Sequence, residues 1–237
     1  QKILLLEMAD YMQLPIDFWT NPDSDITTEK FSENLMNRLL IHHATNEEKF
    51  KKKSFEFAFA AASRADGKDA EIVDNQTFRG ADVIVAGTKF SLKTEASASI
   101  RPTTITISKL MEARWIRDYT SNEDIANQTS LRISSHLKEY ERILILRAFS
   151  CGEDKVNYEL VEIPKDVLLA AAKLKAHHFG KRTKNGSNSA EVTYKDRTAF
   201  RLRLDGSVEK ITVSGLRKSL CKVHGQWTIP AMIKSAD

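Results

Sequence analysis

An aspartate and a lysine in the stretch Gly80–Arg101 could together serve a site that binds a divalent cation and a phosphate. The stretch reads GADVIVAGTKFSLKTEASASIR, and its pattern predicts two short strands joined by a tight turn. Asp82 begins the first predicted strand and Lys93 lies on the second. A lysine held beside acidic groups suits the hydrolysis of a phosphodiester bond. The chemistry indicated is that of a nuclease.

Alternation along the second strand predicts which side chains share a face with Lys93. Successive side chains of a strand point to opposite faces, so Ser91 and Glu95 are expected beside Lys93. Phe90 and Leu92 then lie on the other face, which we predict to be part of the core. The alternative for Asp82 and Lys93 is a surface ion pair between neighbouring strands.

These residues resemble the motif of the PD-(D/E)XK nucleases and, among them, of the type II restriction endonucleases. That motif places an Asp at the start of one strand and an acid-x-Lys triplet on the next. Asp82 corresponds to the first acid, after Ala81 where the family often has Pro, and Ser91-Leu92-Lys93 corresponds to the triplet. The resemblance covers roughly Glu47 to Ala148. Ser91 carries no carboxylate, so a second acid from elsewhere must complete the site.

The resemblance implies Mg²⁺-assisted hydrolysis of phosphodiester bonds in double-stranded DNA. Asp82, a second carboxylate and the Leu92 main-chain carbonyl would hold the metal, which prefers oxygen ligands. Lys93 would contact the scissile phosphate and the attacking water. Ser91 belongs to the same catalytic set through its place in the triplet.

Three glutamates are candidates for the second carboxylate, and their predicted positions set an order. Glu95 comes first, because it lies two residues beyond Lys93 on the same strand face. Glu112 comes second, on a helix predicted to begin near Ser108. Glu56 comes third, as an auxiliary acid on the helix that precedes the first catalytic strand. An ion pair with a neighbouring lysine, Lys52 or Lys53, is the alternative interpretation of Glu56.

Two further groups of polar and basic side chains are candidate DNA contacts, because hydroxyls and cations bind backbone phosphates. The first follows the catalytic strand, and a solvated loop is its alternative interpretation. The second lies near the C-terminus, in a basic loop and on strands flanking the predicted Asp205-Gly206 turn, where exposed surface charge is the alternative. The first group is Ser97, Ser99 and Arg101, and the second is Lys181, Arg182, Lys184, Arg201, Arg203 and Lys210.

The composition is that of an ordinary globular protein, with 237 residues, 41% hydrophobic and 29% charged. A net charge of +4 permits nucleic-acid binding without demanding it. Cys151 and Cys221 have no disulfide or zinc spacing, so we expect reduced thiols in a bacterial or archaeal cytoplasm. No apolar run approaches the roughly 20 residues that span a membrane.

The order of predicted elements indicates a mixed α/β fold. We expect a restriction-endonuclease-like core with a mixed central sheet flanked by helices over residues 1–175, and a small β-rich DNA-recognition subdomain over residues 176–237. The predicted elements are a helix over Gln1–Met12, a helix from Thr27 or Thr28 to His43, a helix opening at Asn46 with an apolar second half Phe55–Ala62, a turn at Asp66–Asp69, a short strand or strand edge at Ile72-Val73 that leads into Asp74–Gln76, a helix over Asn122–Tyr140, strands at Arg142–Phe149 and Tyr158–Ile163, and a helix starting at Pro164.

The predicted function is that of a sequence-specific endonuclease, a type II restriction enzyme. Palindromic sites would require a symmetric homodimer. The alternatives are a repair or junction nuclease of the same fold and a catalytically inactive DNA-binding module. The β-rich subdomain and the basic loop favour restriction, because reading several base pairs needs side chains in the groove besides the catalytic strands.

Overall fold

The computed structural model describes residues 9–14, 16–73, 80–152, 154–184 and 186–230. The α-helices of these residues are Glu29–His43 (α1), Lys52–Ala65 (α2), Asn122–His136 (α3) and Lys165–Leu169 (α4). Short 3₁₀ helices cover Arg114–Arg117, Ala170–Lys173, Ala176–His178 and Lys218–Leu220. The strands are Asp17–Thr20 (β1), Ala70–Ile72 (β2), Val83–Val85 (β3), Thr88–Glu95 (β4), Thr104–Glu112 (β5), Arg142–Ser150 (β6), Lys155–Glu162 (β7), Asn188–Tyr194 (β8), Arg197–Asp205 (β9), Lys210–Arg217 (β10) and Lys222–Pro230 (β11). Among the helices described, none is both long and apolar enough to cross a membrane.

The strands form two sheets. The larger is a mixed sheet of seven strands in the order β1-β11-β7-β6-β4-β3-β2, flanked by helices. The smaller has four antiparallel strands in the order β5-β10-β9-β8. This arrangement confirms the predicted fold class, a mixed α/β core of restriction-endonuclease type accompanied by a second β-rich part.

The chain divides into two compact units that interleave along the sequence. The first comprises the described parts of Gln1–Ala98, Leu144–Glu162 and Val223–Asp237, and the second comprises those of Ser99–Ile143 and Ile163–Lys222. The sequence analysis expected a single boundary at residue 175 instead. The difference arises because strands distant in sequence share a sheet: β5 pairs with β10, and β11 pairs with β1.

The core of the first unit forms where α2 packs on the large sheet. Phe59 lies with its ring centroid 5.5 Å from that of Phe31 on α1 and 5.3 Å from that of Phe90 on β4. The apolar second half of α2 was predicted to be buried, and this is confirmed except at Phe57, which is 55% exposed, and at Ala61, which is half-buried. The predicted cap of α1 is also confirmed, because the Thr28 hydroxyl accepts a hydrogen bond from the Phe31 N–H.

The predicted start of α2 was wrong. The helix begins at Lys52, with Lys51 as its N-cap, and not at Asn46. The acidic residues Glu47 and Glu48 therefore precede the helix, and its first turn contains no acid. The sequence suggested otherwise because Asn followed by two acids is the usual signature of a helix N-terminus.

The predicted helix near Ser108 was also wrong, because β5 continues through that residue to Glu112. The apolar side chains Ile105, Ile107 and Leu110 are buried, and β10 provides the backbone partner. Strand pairing with a segment about a hundred residues away thus replaces the expected local helix.

Several smaller predictions can be placed on the structure. Three predicted elements are confirmed, namely β6, β7 and the helix following Pro164. Helix α3 ends at His136 and not at the predicted Tyr140. The β9–β10 connection is longer than an Asp-Gly turn, because β9 ends at Asp205 and β10 begins at Lys210. Strands β1 and β11 were not predicted. The turn predicted over Asp66–Asp69 lies between α2 and β2, and β2 includes Ile72 of the predicted strand edge. Asp74–Gln76 and most of the helix predicted over Gln1–Met12 lie outside the described residues. Neither Cys151 nor Cys221 forms a disulfide bond.

A buried histidine at the end of α1 makes the stability of the first unit sensitive to pH. His43 is fully buried, and its Nε2 lies 2.8 Å from the Tyr158 hydroxyl, which also accepts a hydrogen bond from the Phe50 N–H. Burial, followed by the neighbouring His42, lowers the pKa of His43 to about 4.

We predict that the unfolding free energy falls as the pH is lowered from about 6.5 to about 4, because only the unfolded chain protonates His43 in this range. The loss attributable to this group is at most about 3 kcal/mol. Urea unfolding over a pH series measures it. His43→Gln should flatten the profile in this window, whereas the exposed His177→Gln should keep the wild-type profile. Equal pH dependence in all three proteins would contradict the assignment.

Candidate active site

A tight hairpin positions the two strands that carry the predicted motif. Strands β3 and β4 pair antiparallel with Val83 opposite Phe90 and Val85 opposite Thr88. The two residues between them, Ala86 and Gly87, have φ of 46° and 80°. Two consecutive positive φ values are typical of a two-residue hairpin turn whose twist matches the flanking strands. The turn therefore sets the register that aligns the start of β3 with the middle of β4.

Asp82 lies just before β3, is only 8% exposed, and is held by the neighbouring strand. Its Oδ2 accepts hydrogen bonds from the Leu92 N–H at 2.7 Å and from the Ser91 hydroxyl at 3.4 Å. Its own N–H donates to the Phe90 carbonyl at 2.8 Å. Lys93 follows on the strand, half-buried, and shares the face of Ser91 by alternation. The structure thus brings the predicted acid to the predicted triplet.

Helix α2 adds a second carboxylate and a lysine to this position. The Lys52 Nζ lies 2.6 Å from Asp82 Oδ1 and 3.5 Å from Glu56 Oε1. Glu56 is 7% exposed, and its other oxygen lies 3.0 Å from the Nζ of Lys53. Glu56 therefore forms ion pairs with both neighbouring lysines, and it shares one of them, Lys52, with Asp82. The two buried carboxylates converge on one point of positive charge.

Glu95 belongs to a different network. Its Oε2 lies 2.7 Å from Arg147 Nε on β6, and Arg147 Nη1 lies 3.1 Å from Glu159 Oε2 on β7. The Arg147 side chain is completely buried, and Gln226 Nε2 donates to the second oxygen of Glu159 at 2.9 Å. The carboxylate of Glu95 is therefore neutralised by a guanidinium inside the sheet. Sequence analysis missed Arg147, because it interrupts an apolar run that otherwise reads as core.

Glu112 lies on β5 in the second unit, and the helix that supported its candidacy is absent. Its side chain is 69% exposed and lies 2.9 Å from the Nζ of Lys109. This hydrogen bond and the charge of Lys109 lower the pKa of Glu112. The described geometry is that of an exposed surface ion pair.

The predicted DNA contacts of the second unit lie on its small sheet and on the loop before β8. Arg201 and Arg203 are exposed on β9. Asp205 lies on the same face of that strand, and its partner on β10 is Lys210. Arg201 Nη2 also lies 2.8 Å from Glu191 Oε1, so part of the charge on this face is neutralised.

The loop before β8 borders a cavity within the second unit. The cavity has a volume of about 730 Å³ and basic and hydroxyl side chains around it. Arg117, which was not among the predicted DNA contacts, lines it together with the predicted Arg182 and Lys184. Lys181 is exposed on the same loop, and the remaining candidates Ser97, Ser99 and Arg101 are exposed after β4. Asn185 lies outside the described residues.

The residues around Asp82 can be tested for their fit to a metal ion by their donor atoms. Among the described residues, no group of three or more His, Cys, Asp or Glu side chains could hold a metal. Mg²⁺ commonly uses one or two carboxylates, substrate phosphates and several waters, so a pair of carboxylates is sufficient. Asp82 and Glu56 supply that pair, already gathered around a cation. The donor set fits Mg²⁺ and lacks the nitrogen and sulfur ligands that zinc prefers.

We predict that Arg147→Met lowers the unfolding free energy by about 3–5 kcal/mol, because it removes the buried guanidinium that the carboxylates of Glu95 and Glu159 share. Arg38→Met, an equivalent change at an exposed site of α1, should stay within about 0.5 kcal/mol of wild type. Urea unfolding with both variants checks this. A loss in Arg147→Met no larger than in Arg38→Met would show that the network does not stabilise the sheet.

The chain is similar to known proteins over most of its length. Residues 2–229 match the SmaI family, described as a type II site-specific deoxyribonuclease. The chain is 32% identical over 209 residues to the type II restriction enzyme SmaI of Serratia marcescens, which covers 86% of this chain and 81% of that enzyme. No solved structure matches with significance. The family match extends over nearly the whole chain, from before α1 into β11, and includes every candidate residue. The chain belongs to the SmaI family of type II site-specific deoxyribonucleases.

Proposed function

We propose that this restriction endonuclease hydrolyses double-stranded DNA by the Mg²⁺-dependent chemistry of the PD-(D/E)XK nucleases. The observation that carries the proposal is the arrangement of Asp82 and Glu56, two buried carboxylates that share the Lys52 ammonium beside the strand of Lys93. Membership of a type II family favours restriction over the repair and junction nucleases that were the alternative. The remaining alternative, an inactive DNA-binding module, predicts no cleavage at all.

Asp82, Glu56 and the Leu92 main-chain carbonyl are the proposed metal ligands. We assign the second carboxylate ligand to Glu56 and not to Glu95, because the Glu95 carboxylate already forms an ion pair with the buried Arg147. Glu56 is also preferred to Glu112, which is exposed on a strand of the other unit. When bound, Mg²⁺ would lower the pKa of a water and polarise the scissile phosphate.

The protein's own groups hold the acid and supply positive charge. The Leu92 N–H and the Ser91 hydroxyl orient Asp82, leaving Oδ1 directed toward Lys52. Lys93, on the face of Ser91, is the proposed cation for the scissile phosphate and the attacking water. Its charge would stabilise the negative charge that develops on the phosphoryl oxygens. Ser91 thus serves as a positioning residue for Asp82 and needs no carboxylate of its own.

The proposal extends to how the enzyme engages DNA. A palindromic recognition site would require two copies of the chain related by a two-fold axis, so we expect a homodimer. The basic loop and the exposed face of β9 are the proposed DNA contacts in the second unit. The enzyme would work in the bacterial cytoplasm, where its DNA substrate is found.

We predict that Lys93→Ala and Asp82→Asn abolish cleavage of plasmid DNA in Mg²⁺, while Lys93→Ala leaves DNA affinity within about tenfold of wild type. The reason is that a cation at the scissile phosphate stabilises the transition state more than the ground state. Discrete fragments from the wild-type digest support restriction, and their ends give the cut position. Cleavage by Lys93→Ala near the wild-type rate would exclude the assigned chemistry.

A set of Glu→Gln variants tests which acid completes the site. Glu56→Gln should lower the cleavage rate by about two orders of magnitude or more and raise the Mg²⁺ requirement, because it removes a ligand charge. Glu112→Gln is the matched control and should cleave at the wild-type rate. Cleavage is measured across a Mg²⁺ titration. Full activity in Glu56→Gln together with loss in Glu95→Gln, at a temperature where both are folded, would return the role to Glu95.

Two arginines on one strand give a matched test of the DNA surface. Arg203→Ala should weaken binding to all sequences and lower the slope of log affinity against log salt by about one, as expected for one phosphate contact. Arg201→Ala should have a smaller effect, because Glu191 already neutralises part of its charge. Binding isotherms over a salt series measure both. Unchanged slopes in both variants would show that this face does not meet DNA.

A further inference from the structure

The first turn of α2 has a charge distribution that local helix physics does not favour. Lys51 caps the helix, Lys52 and Lys53 follow, and no acid lies in the first turn. A helix N-terminus carries partial positive charge, so anions stabilise it and cations do not. Violations of a local rule are expected at functional sites. The cluster of lysines therefore needs an explanation from the tertiary structure.

The three lysines have different partners. Lys52 alone of the three lies beside Asp82, with its Nζ 2.6 Å from Oδ1, and it also approaches Glu56 at 3.5 Å. Lys53 pairs with Glu56 and is 67% exposed, while Lys51 pairs with Glu48 and is 73% exposed. Lys52 thus places its positive charge between the two buried carboxylates.

We propose that the Lys52 ammonium occupies the position of the divalent cation in the metal-free enzyme and must be displaced for the metal to bind. This inference rests on the proposed function, which assigns Asp82 and Glu56 as metal ligands. Two buried carboxylates without a cation would repel each other and lack the solvation of water. The ammonium removes that cost in the absence of metal, so the site can be assembled before the metal arrives.

Displacement is sterically simple. The Lys52 side chain is 43% exposed, whereas the side chains of Asp82 and Glu56 are only 10% and 9% exposed. A cavity of about 480 Å³ adjoins it, lined by Lys49, Lys51 and Thr94 among others. The ammonium can therefore leave along an open path without disturbing the core. A bound divalent cation would repel it, since like charges at this range disfavour each other.

The test is a Mg²⁺ titration of the DNA-free protein, followed by the thermal unfolding temperature and by calorimetry. Lys52→Met removes the competing charge and keeps most of the stem. We expect a lower unfolding temperature in chelator and a half-saturating Mg²⁺ concentration about tenfold lower than wild type, the equivalent of one charge-assisted hydrogen bond. Lys51→Met makes the same charge change at the same helix end and should stay within about twofold, because its surface ion pair contributes little.

Asp82→Asn separates this inference from the proposed function. Loss of the Mg²⁺ response in Asp82→Asn, with unchanged half-saturation in Lys52→Met, would overturn the role of Lys52 and leave the metal site standing. A wild-type Mg²⁺ response in Asp82→Asn would overturn the metal site itself, and the inference with it. If Lys52→Met does not fold, Lys52→Gln replaces it, because its amide keeps the two carboxylates hydrogen-bonded without a charge; the same tenfold shift is expected.

Discussion

The hydrogen bond from the Leu92 N–H to Asp82 is the interaction on which the site depends. A carboxylate that is 8% exposed is costly to keep ionised unless donors surround it, and here the main chain of β4 supplies one at 2.7 Å. The bond is possible only in the register that the Ala86-Gly87 turn imposes. A one-residue slip would turn every side chain of β4 to the opposite face and separate the acid from the lysine.

Strand β4 carries two electrostatic networks with different tasks. The network around Ser91 and Leu92 contains Asp82, Lys52 and Glu56, and of these three side chains Lys52 is the one partly exposed to solvent. Farther along the strand, Glu95 is closed in with Arg147 and Glu159. A metal ion cannot easily replace a fully buried guanidinium between two carboxylates, whereas it can replace a partly exposed ammonium. This contrast explains why the acid nearest to Lys93 in sequence is not the one we assign to catalysis.

Sequence reasoning succeeded where short-range chemistry decides the outcome. The β3–β4 hairpin, the cap at Thr28, the buried half of α2 and the apolar strand β6 were all predicted, because each depends on neighbouring residues. It failed where distant partners decide. The half of β5 from Ser108 onward was predicted as a helix, since its partner β10 lies about a hundred residues away. Strand β11 was missed because it completes a sheet begun by other parts of the chain.

The motif can be read from the amino-acid sequence alone: an acid before one strand, a lysine on the next, and a mixed α/β fold to hold them. Which other charges meet that motif depends on tertiary packing. Lys52 contacts both Asp82 and Glu56 because α2 packs its phenylalanines on the sheet. Glu95 pairs instead with Arg147, which β6 places beside it. Such contacts depend on how a helix and three strands pack, and residue spacing within one segment carries no information about that packing.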